Sequence, residues 1–171
     1  MLIVYAGACE RGEARDLAYA LLERAHALLC GGPVPELART GQGKPYFPDG
    51  RFEFSLTHTR TIAALAVSDK PVGVDAETFR PVRQGVAQRS MGPEELAWIA
   101  AQPEENEALL TLWTCKEALV KRSGQGLQFR PRAVRLSFDG GVPQGFQVRR
   151  LWDGVVTVCP SEDEPAVWRL V

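Results

Sequence analysis

The sequence is poor in the residues that build metal or disulfide scaffolds. It has four cysteines (Cys9, Cys30, Cys115 and Cys159) and two histidines, His26 and His58. The cysteines stand far apart and form no C-x-x-C pair, which argues against a zinc site. Isolated cysteines in apolar stretches read as buried thiols in a reducing compartment. An excess of either charge is also missing: net charge is −1 and the pI is about 6.2. No global field therefore draws the chain to nucleic acid or to a membrane surface. No apolar run approaches the roughly 18 residues of a membrane span. The apolar stretch from Met1 to Cys9 is short and has no basic residue ahead of it, unlike a signal peptide or a lipid anchor. Low-complexity tracts, long linkers and residue-level repeats are missing too. What remains is the ordinary composition of a globular protein, 45% hydrophobic and 24% charged. A cytoplasmic location is expected, and 171 residues allow one domain or two small ones.

Leu2 to Ala6 reads as a buried first strand. Leucines and alanines at helical spacing predict a helix from about Gly12 to Leu29, stopped by Gly31-Gly32-Pro33. Phe52 to Leu56 and Ile62 to Val67 form a hairpin whose tip carries Thr57-His58-Thr59. Pro93-Glu94-Glu95 starts a helix, and a longer one is expected from about Glu104 to Arg122, stopped by Ser123-Gly124-Gln125-Gly126. Beyond it, strands are expected over Ala133 to Phe138, Phe146 to Val148, Val155 to Cys159 and Val167 to Val171. Gly140-Gly141 and Asp153-Gly154 supply the turns. This order suggests two α+β halves that meet near Asp69 to Pro71, residues 1–70 and 71–171.

Candidate chemistry centres on Val72-Gly73-Val74-Asp75-Ala76-Glu77. Strand side chains alternate faces, so Asp75 and Glu77 point one way while Val74 and Ala76 point the other. Two carboxylates on one face repel unless a cation lies between them, and hard oxygen pairs suit magnesium. Taken alone, the stretch reads more readily as a solvated strand end with two surface acids. Gly73 leaves room for a backbone or ligand to come close. Lys44, between Gly43 and Pro45, sits on a constrained loop that could aim a cation at an anion. The glycine spacing there does not make a Walker loop. On the long helix Glu117 and Lys121 share a face, which on its own is an ordinary i,i+4 ion pair.

Four segments, in order, carry more than their separate parts. They are Gly43-Lys44-Pro45, Phe54-x-x-Thr57-His58-Thr59, Val72 to Glu77, and Trp113-Thr114-Cys115-Lys116-Glu117-Ala118-Leu119-Val120-Lys121. The series resembles the Sfp-type 4′-phosphopantetheinyl transferases, whose pattern is G-K-P, F-N-x-S-H-S, V/I-G-V/I-D-x-E and W-S/T-x-K-E-A/S-x-x-K. Gly124-Gln125-Gly126-Leu127 also looks like that family's exit from its helix. Thr57 and Thr59 replace serines, and Ser55 takes the place of the asparagine.

The resemblance implies a pseudo-dimer of two α/β halves, each a small antiparallel sheet packed with a long helix. It implies transfer of 4′-phosphopantetheine from coenzyme A to a serine of an apo acyl or peptidyl carrier protein, with release of 3′,5′-ADP. Asp75, Glu77 and Glu117 would bind Mg2+. Glu117 would act as base and Lys121 would stabilise the departing phosphate. Lys44, Thr57, His58 and Lys121 would contact coenzyme A, with Arg15, and Arg11 beside it, as candidates for the 3′-phosphate. A monomer without nucleic-acid or membrane partners is expected. Two competing readings use the same residues: a magnesium-dependent phosphodiesterase, and a non-catalytic coenzyme A or carrier-protein binding module.

Overall fold

Strand β5 (Ile62–Ser68) is buried along its whole length, and the layers on either side explain why neither face meets water. Its alternate residues enter two separate cores. Ala63, Leu65 and Val67 belong to one, and Ile62, Ala64 and Ala66 to the other. Strand β1 (Leu2–Ala8) divides in the same way, with Ile3 and Tyr5 on one side and Leu2, Val4 and Ala6 on the other. Helix α1 (Ala14–Leu29) closes the first core with Ala18, Leu21, Leu22 and Ala25, joined by Phe47, Phe52 and Phe54. The second core is closed by a second sheet. Val72, Val74 and Ala76, on or just before β6 (Gly73–Thr78), meet it together with Val156 and Val158 of β10 (Gly154–Cys159). Helix α4 (Glu105–Ser123) packs on β6 and β10. The order of layers is helix, sheet, sheet, helix. This computed structural model describes residues 1–171 apart from 125 and 127–129.

The first sheet has the order β11-β1-β5-β4, with β4 at Glu53–His58 and β11 at Val167–Leu170; the second has the order β6-β10-β9, with β9 at Gln147–Leu151. Two short ribbons complete the strands: β2 (Ala38–Arg39) with β3 (Pro45–Tyr46), and β7 (Phe138–Asp139) with β8 (Val142–Pro143). The mixed α+β class expected from the sequence is the one found.

Gly73 is the closest approach between β6 and α4. A Cβ at this position would lie 1.8 Å from the Ala118 carbonyl oxygen. The clash is with backbone, so no rotamer change relieves it. Gly73→Ala is therefore expected to cost about 3 kcal/mol through overpacking, read from the midpoint of a urea transition. Unchanged stability would mean that the strand and helix are further apart than described.

On the other side of α4 lies a third core of Met91, Ile99, Leu109, Leu112, Cys115 and Leu136. Within it Lys116 is fully buried and pairs with buried Glu95 at 2.7 Å. Glu95 belongs to α3 (Pro93–Ala100), and its Oε2 also accepts the Gly92 N–H at 2.6 Å, which caps the helix. The other oxygen accepts the Leu136 N–H at 3.0 Å. Lys116 Nζ donates further to the carbonyls of Ser90, the last residue of α2 (Val86–Ser90), at 3.0 Å and of Pro131 at 2.8 Å. Both charges are thereby fully hydrogen-bonded, as burial demands.

The C-terminal third departs from the expected meander in two places. Ala133 to Phe138 is not a strand: Pro131–Ala133 is a 3-10 turn and β7 begins at Phe138. The Leu136 N–H is taken by Glu95 instead of by a neighbouring strand. Strand β11 leaves the second sheet altogether and runs parallel to β1, with Val4 opposite Trp168. Helix α4 ends at Gly124, whose left-handed backbone (φ 71°) lets its N–H bond Val120 O at 3.0 Å. Of the expected glycine exit, Gln125 and Leu127 lie outside the described residues.

Candidate active site

Residues 73, 75 and 77 of β6 face α4, because Val74 and Ala76 are committed to the core between the sheets. On α4, Thr114, Glu117, Ala118 and Lys121 recur at helical spacing on the facing side. Ala118 lies against Gly73, and the Thr114 hydroxyl bonds that of Thr157 on β10 at 2.7 Å. This packing brings Asp75, Glu77, Glu117 and Lys121 to one cleft of about 330 Å³, together with Thr57 and His58 from the end of β4. A second cleft of about 450 Å³ shares Glu117 and Lys121 and runs to Gly43, Lys44 and Pro45. Seven of the eight candidate residues therefore border two clefts that meet at Glu117 and Lys121. Arg15 does not: it is exposed on the first turn of α1 and lines neither cleft.

Lys121 Nζ donates to Asp75 Oδ1 at 2.7 Å, so the lysine reaches across to β6 and is not held by its helical neighbour Glu117. Thr57 Oγ1 donates to the same oxygen at 3.1 Å, in a buried contact. The other hydroxyl of the hairpin tip is also engaged. Thr59 Oγ1 accepts the N–H groups of Thr61 and Ile62 at 3.2 and 3.0 Å, and the Thr78 hydroxyl at 2.8 Å. It closes the turn and ties the tip to the end of β6. His58 between them is exposed. Lys44, half-buried, stands 3.8 Å from Glu53.

The charges at this site do not cancel. Burial pushes the Glu117 carboxyl above its ordinary range, with Asp75 and Glu77 adding to the rise and Lys121 opposing it. Burial also raises Glu77, with Asp75 adding, against the pull of Arg80 at 3.5 Å. Among the described residues no group of three or more His, Cys, Asp or Glu side chains is arranged to hold a metal ion. Here Lys121 supplies the positive charge beside Asp75. The donor set is nevertheless all hard oxygen, and burial together with mutual repulsion disfavours the charged form of two of its three carboxyls.

The model of the 4′-phosphopantetheinyl transferase superfamily matches residues 71–169, more than half of the chain. The chain belongs to that superfamily. Among similar proteins is 4′-phosphopantetheinyl transferase psf-1 of Bacillus pumilus, 34% identical over 105 residues, which cover 58% of this chain and 45% of that protein. The transferase Sfp of Bacillus subtilis (strain 168) is 30% identical over 105 residues, 58% of this chain and 47% of its own length. AcpT of Salmonella typhi is 37% identical over 98 residues, 54% and 51% respectively. The chain thus spans about half the length of the curated relatives it matches. The superfamily match contains Asp75, Glu77, Glu117 and Lys121, whereas Arg15, Lys44, Thr57 and His58 precede it.

One feature of the site and one of its scaffold escaped sequence reasoning. Thr57 is spent on Asp75, so its hydroxyl orients a carboxylate across the sheets. Thr57→Val should lower kcat roughly tenfold, about the worth of one hydrogen bond to a charged group, while Thr57→Ser keeps the bond. A loss with Ser but not with Val would show that the methyl group, not the hydroxyl, matters. Glu95 was the other omission. Its only sequence signal is its place three residues after Gly92 at a helix start, the capping-box position.

Proposed function

We propose that the chain transfers the 4′-phosphopantetheine group of coenzyme A to a serine of an apo carrier protein. The observation that carries this reading is the meeting of Asp75, Glu77, Glu117 and Lys121 at one cleft in a chain of this superfamily. The serine oxygen forms a bond to the phosphorus nearer the pantetheine arm. The bridging P–O bond breaks, and 3′,5′-ADP leaves. Glu117 receives the serine proton, a role suited to a carboxyl raised above its ordinary range. Lys121 Nζ lies where the two clefts meet and stabilises the negative charge that develops on the leaving phosphate. His58, at the exposed tip, and Lys44, on the constrained loop, contact the phosphates of coenzyme A, with Thr57 setting Asp75 beneath them. Arg15 is kept for the 3′-phosphate on its charge alone.

Asp75, Glu77 and Glu117 would hold Mg2+, their hard oxygens and unbalanced charge supporting the fit. Bound there, the ion would supply charge neutralisation on phosphate oxygens and orientation of the attack. We further read residues 1–70 and 71–171 as two related halves of one monomeric transferase. Four unpaired cysteines suit a reducing cytoplasm, and no described helix is long and apolar enough to cross a membrane.

The test is release of 3′,5′-ADP from coenzyme A and magnesium, with and without an apo carrier. Release only with the carrier, one per carrier, is expected. Release without it would make the protein a phosphodiesterase, and no release would leave it a binding module.

A further inference from the structure

The core between the two sheets is apolar, but its border along β4 and β6 is not. These are edge strands, β4 of the first sheet and β6 of the second. On β5, next to β4, the residues turned toward the second sheet are Ile62, Ala64 and Ala66. Opposite Ala66 and Ala64 in register stand Ser55 and Thr57, both buried, and the Thr59 N–H bonds Ile62 O at 2.8 Å. Three alternate residues of one strand thus carry hydroxyls where its neighbour carries aliphatic side chains. Each hydroxyl bonds to β6. Ser55 Oγ accepts the Val74 N–H at 3.1 Å, Thr57 Oγ1 donates to Asp75 Oδ1 at 3.1 Å, and the Thr59 and Thr78 hydroxyls meet at 2.8 Å.

Apolar contact is non-directional, so it holds two sheets together without fixing how far one has slid along the other. A hydrogen bond demands a short distance and a narrow range of angles. Bonds at three steps along one strand therefore fix the offset. The offset matters to the chemistry, because β4 leads to His58 while β6 carries Asp75 and Glu77, and all three border one cleft. We propose that this row of hydroxyls positions the reaction, and that Thr78, at its outer end, holds the His58 tip in register with the acidic strand. The inference rests on the transferase reading and adds a positioning residue that itself touches no reacting group. Thr59 Oγ1 also accepts the N–H groups of Thr61 and Ile62, closing its own turn. Removing the Thr78 hydroxyl therefore leaves the tip folded and cuts only its tie to β6. An untied tip still follows the coenzyme but no longer sets the phosphate at a fixed distance from the acids.

The test compares Thr78→Val, which keeps the shape of the side chain and loses the hydroxyl, with Thr78→Ser, which keeps the hydroxyl. Each is made in the parent and in His58→Ala, and assayed for transfer from coenzyme A to an apo acyl carrier protein. In the parent, Thr78→Val should lower kcat about tenfold, with both KM values within about twofold. Thr78→Ser should stay within about twofold of the parent throughout. In the His58→Ala background the valine should cost less than about twofold, because the side chain it positions is gone. A similar tenfold loss in both backgrounds would make Thr78 a general prop of the fold and overturn the inference. A serine variant no better than the valine would do the same. An unchanged kcat for Thr78→Val, beside a parent that transfers normally, would overturn the positioning role and leave the transferase reading standing. A parent that transfers to no carrier would overturn both.

Discussion

Glu117→Gln is expected to lose transfer by about a hundredfold or more and yet to melt at a higher temperature than the parent at neutral pH. The loss follows from the role of base proposed for Glu117, whose removal typically costs on the order of 10²–10⁴-fold. The gain follows from the same carboxylate's surroundings, since burial, Asp75 and Glu77 all disfavour its charged form. Between the ordinary carboxyl value of 4.5 and the raised value in the fold, the folded chain keeps a proton that the unfolded chain has released. Stability therefore falls as pH rises through that window, and an amide is spared the fall. In metal-free buffer the advantage of the variant should shrink as pH drops toward 4.5. Added magnesium should raise the melting temperature of the parent and not of the variant. A variant less stable than the parent at every pH would mean that Glu117 is held by favourable contacts, and the proposed strain would be wrong.

Lys116→Met is expected to cost about 3–5 kcal/mol, the usual penalty for stranding one member of a buried ion pair. That is a large part of a domain's total stability of about 5–15 kcal/mol, and it should lower the melting temperature on the order of 10 °C. The loss has three sources: Glu95 left without its partner in the core, and the Ser90 and Pro131 carbonyls left without their donor. Adding Glu95→Gln to Lys116→Met should recover part of the stability by removing the stranded charge. Strictly additive losses in a urea double-mutant cycle would show that the two side chains do not act as a pair. Lys116 and Glu117 are neighbours in sequence with opposite duties. One fixes the scaffold, and the other faces the cleft.

Local patterns made much of this legible. Alternation in Val72 to Glu77 placed both acids on one strand face, and β6 keeps them facing α4. The long helix expected from about Glu104 to Arg122 is Glu105–Ser123. What stayed hidden depends on groups far apart in sequence. Thr57 looked like a coenzyme contact because a hydroxyl's partner cannot be read from its neighbours, but it turns inward to Asp75, as Thr59 does to the turn with Thr78. Ala133 to Phe138 looked like strand because its apolar residues alternate, but a buried carboxylate 41 positions away takes the Leu136 N–H. The parallel pairing of β11 with β1 joins opposite ends of the chain and leaves no local trace. Nor could spacing show that Lys121 would pair with Asp75 rather than with Glu117, one turn away on its own helix.

The most direct measurement is the mass of an apo acyl carrier protein after incubation with this chain, coenzyme A and magnesium, and again with chelator in place of magnesium. Gain of one 4′-phosphopantetheine per carrier, on serine, and only with the metal, is the expected result. An unmodified carrier alongside a correctly folded chain would contradict the account.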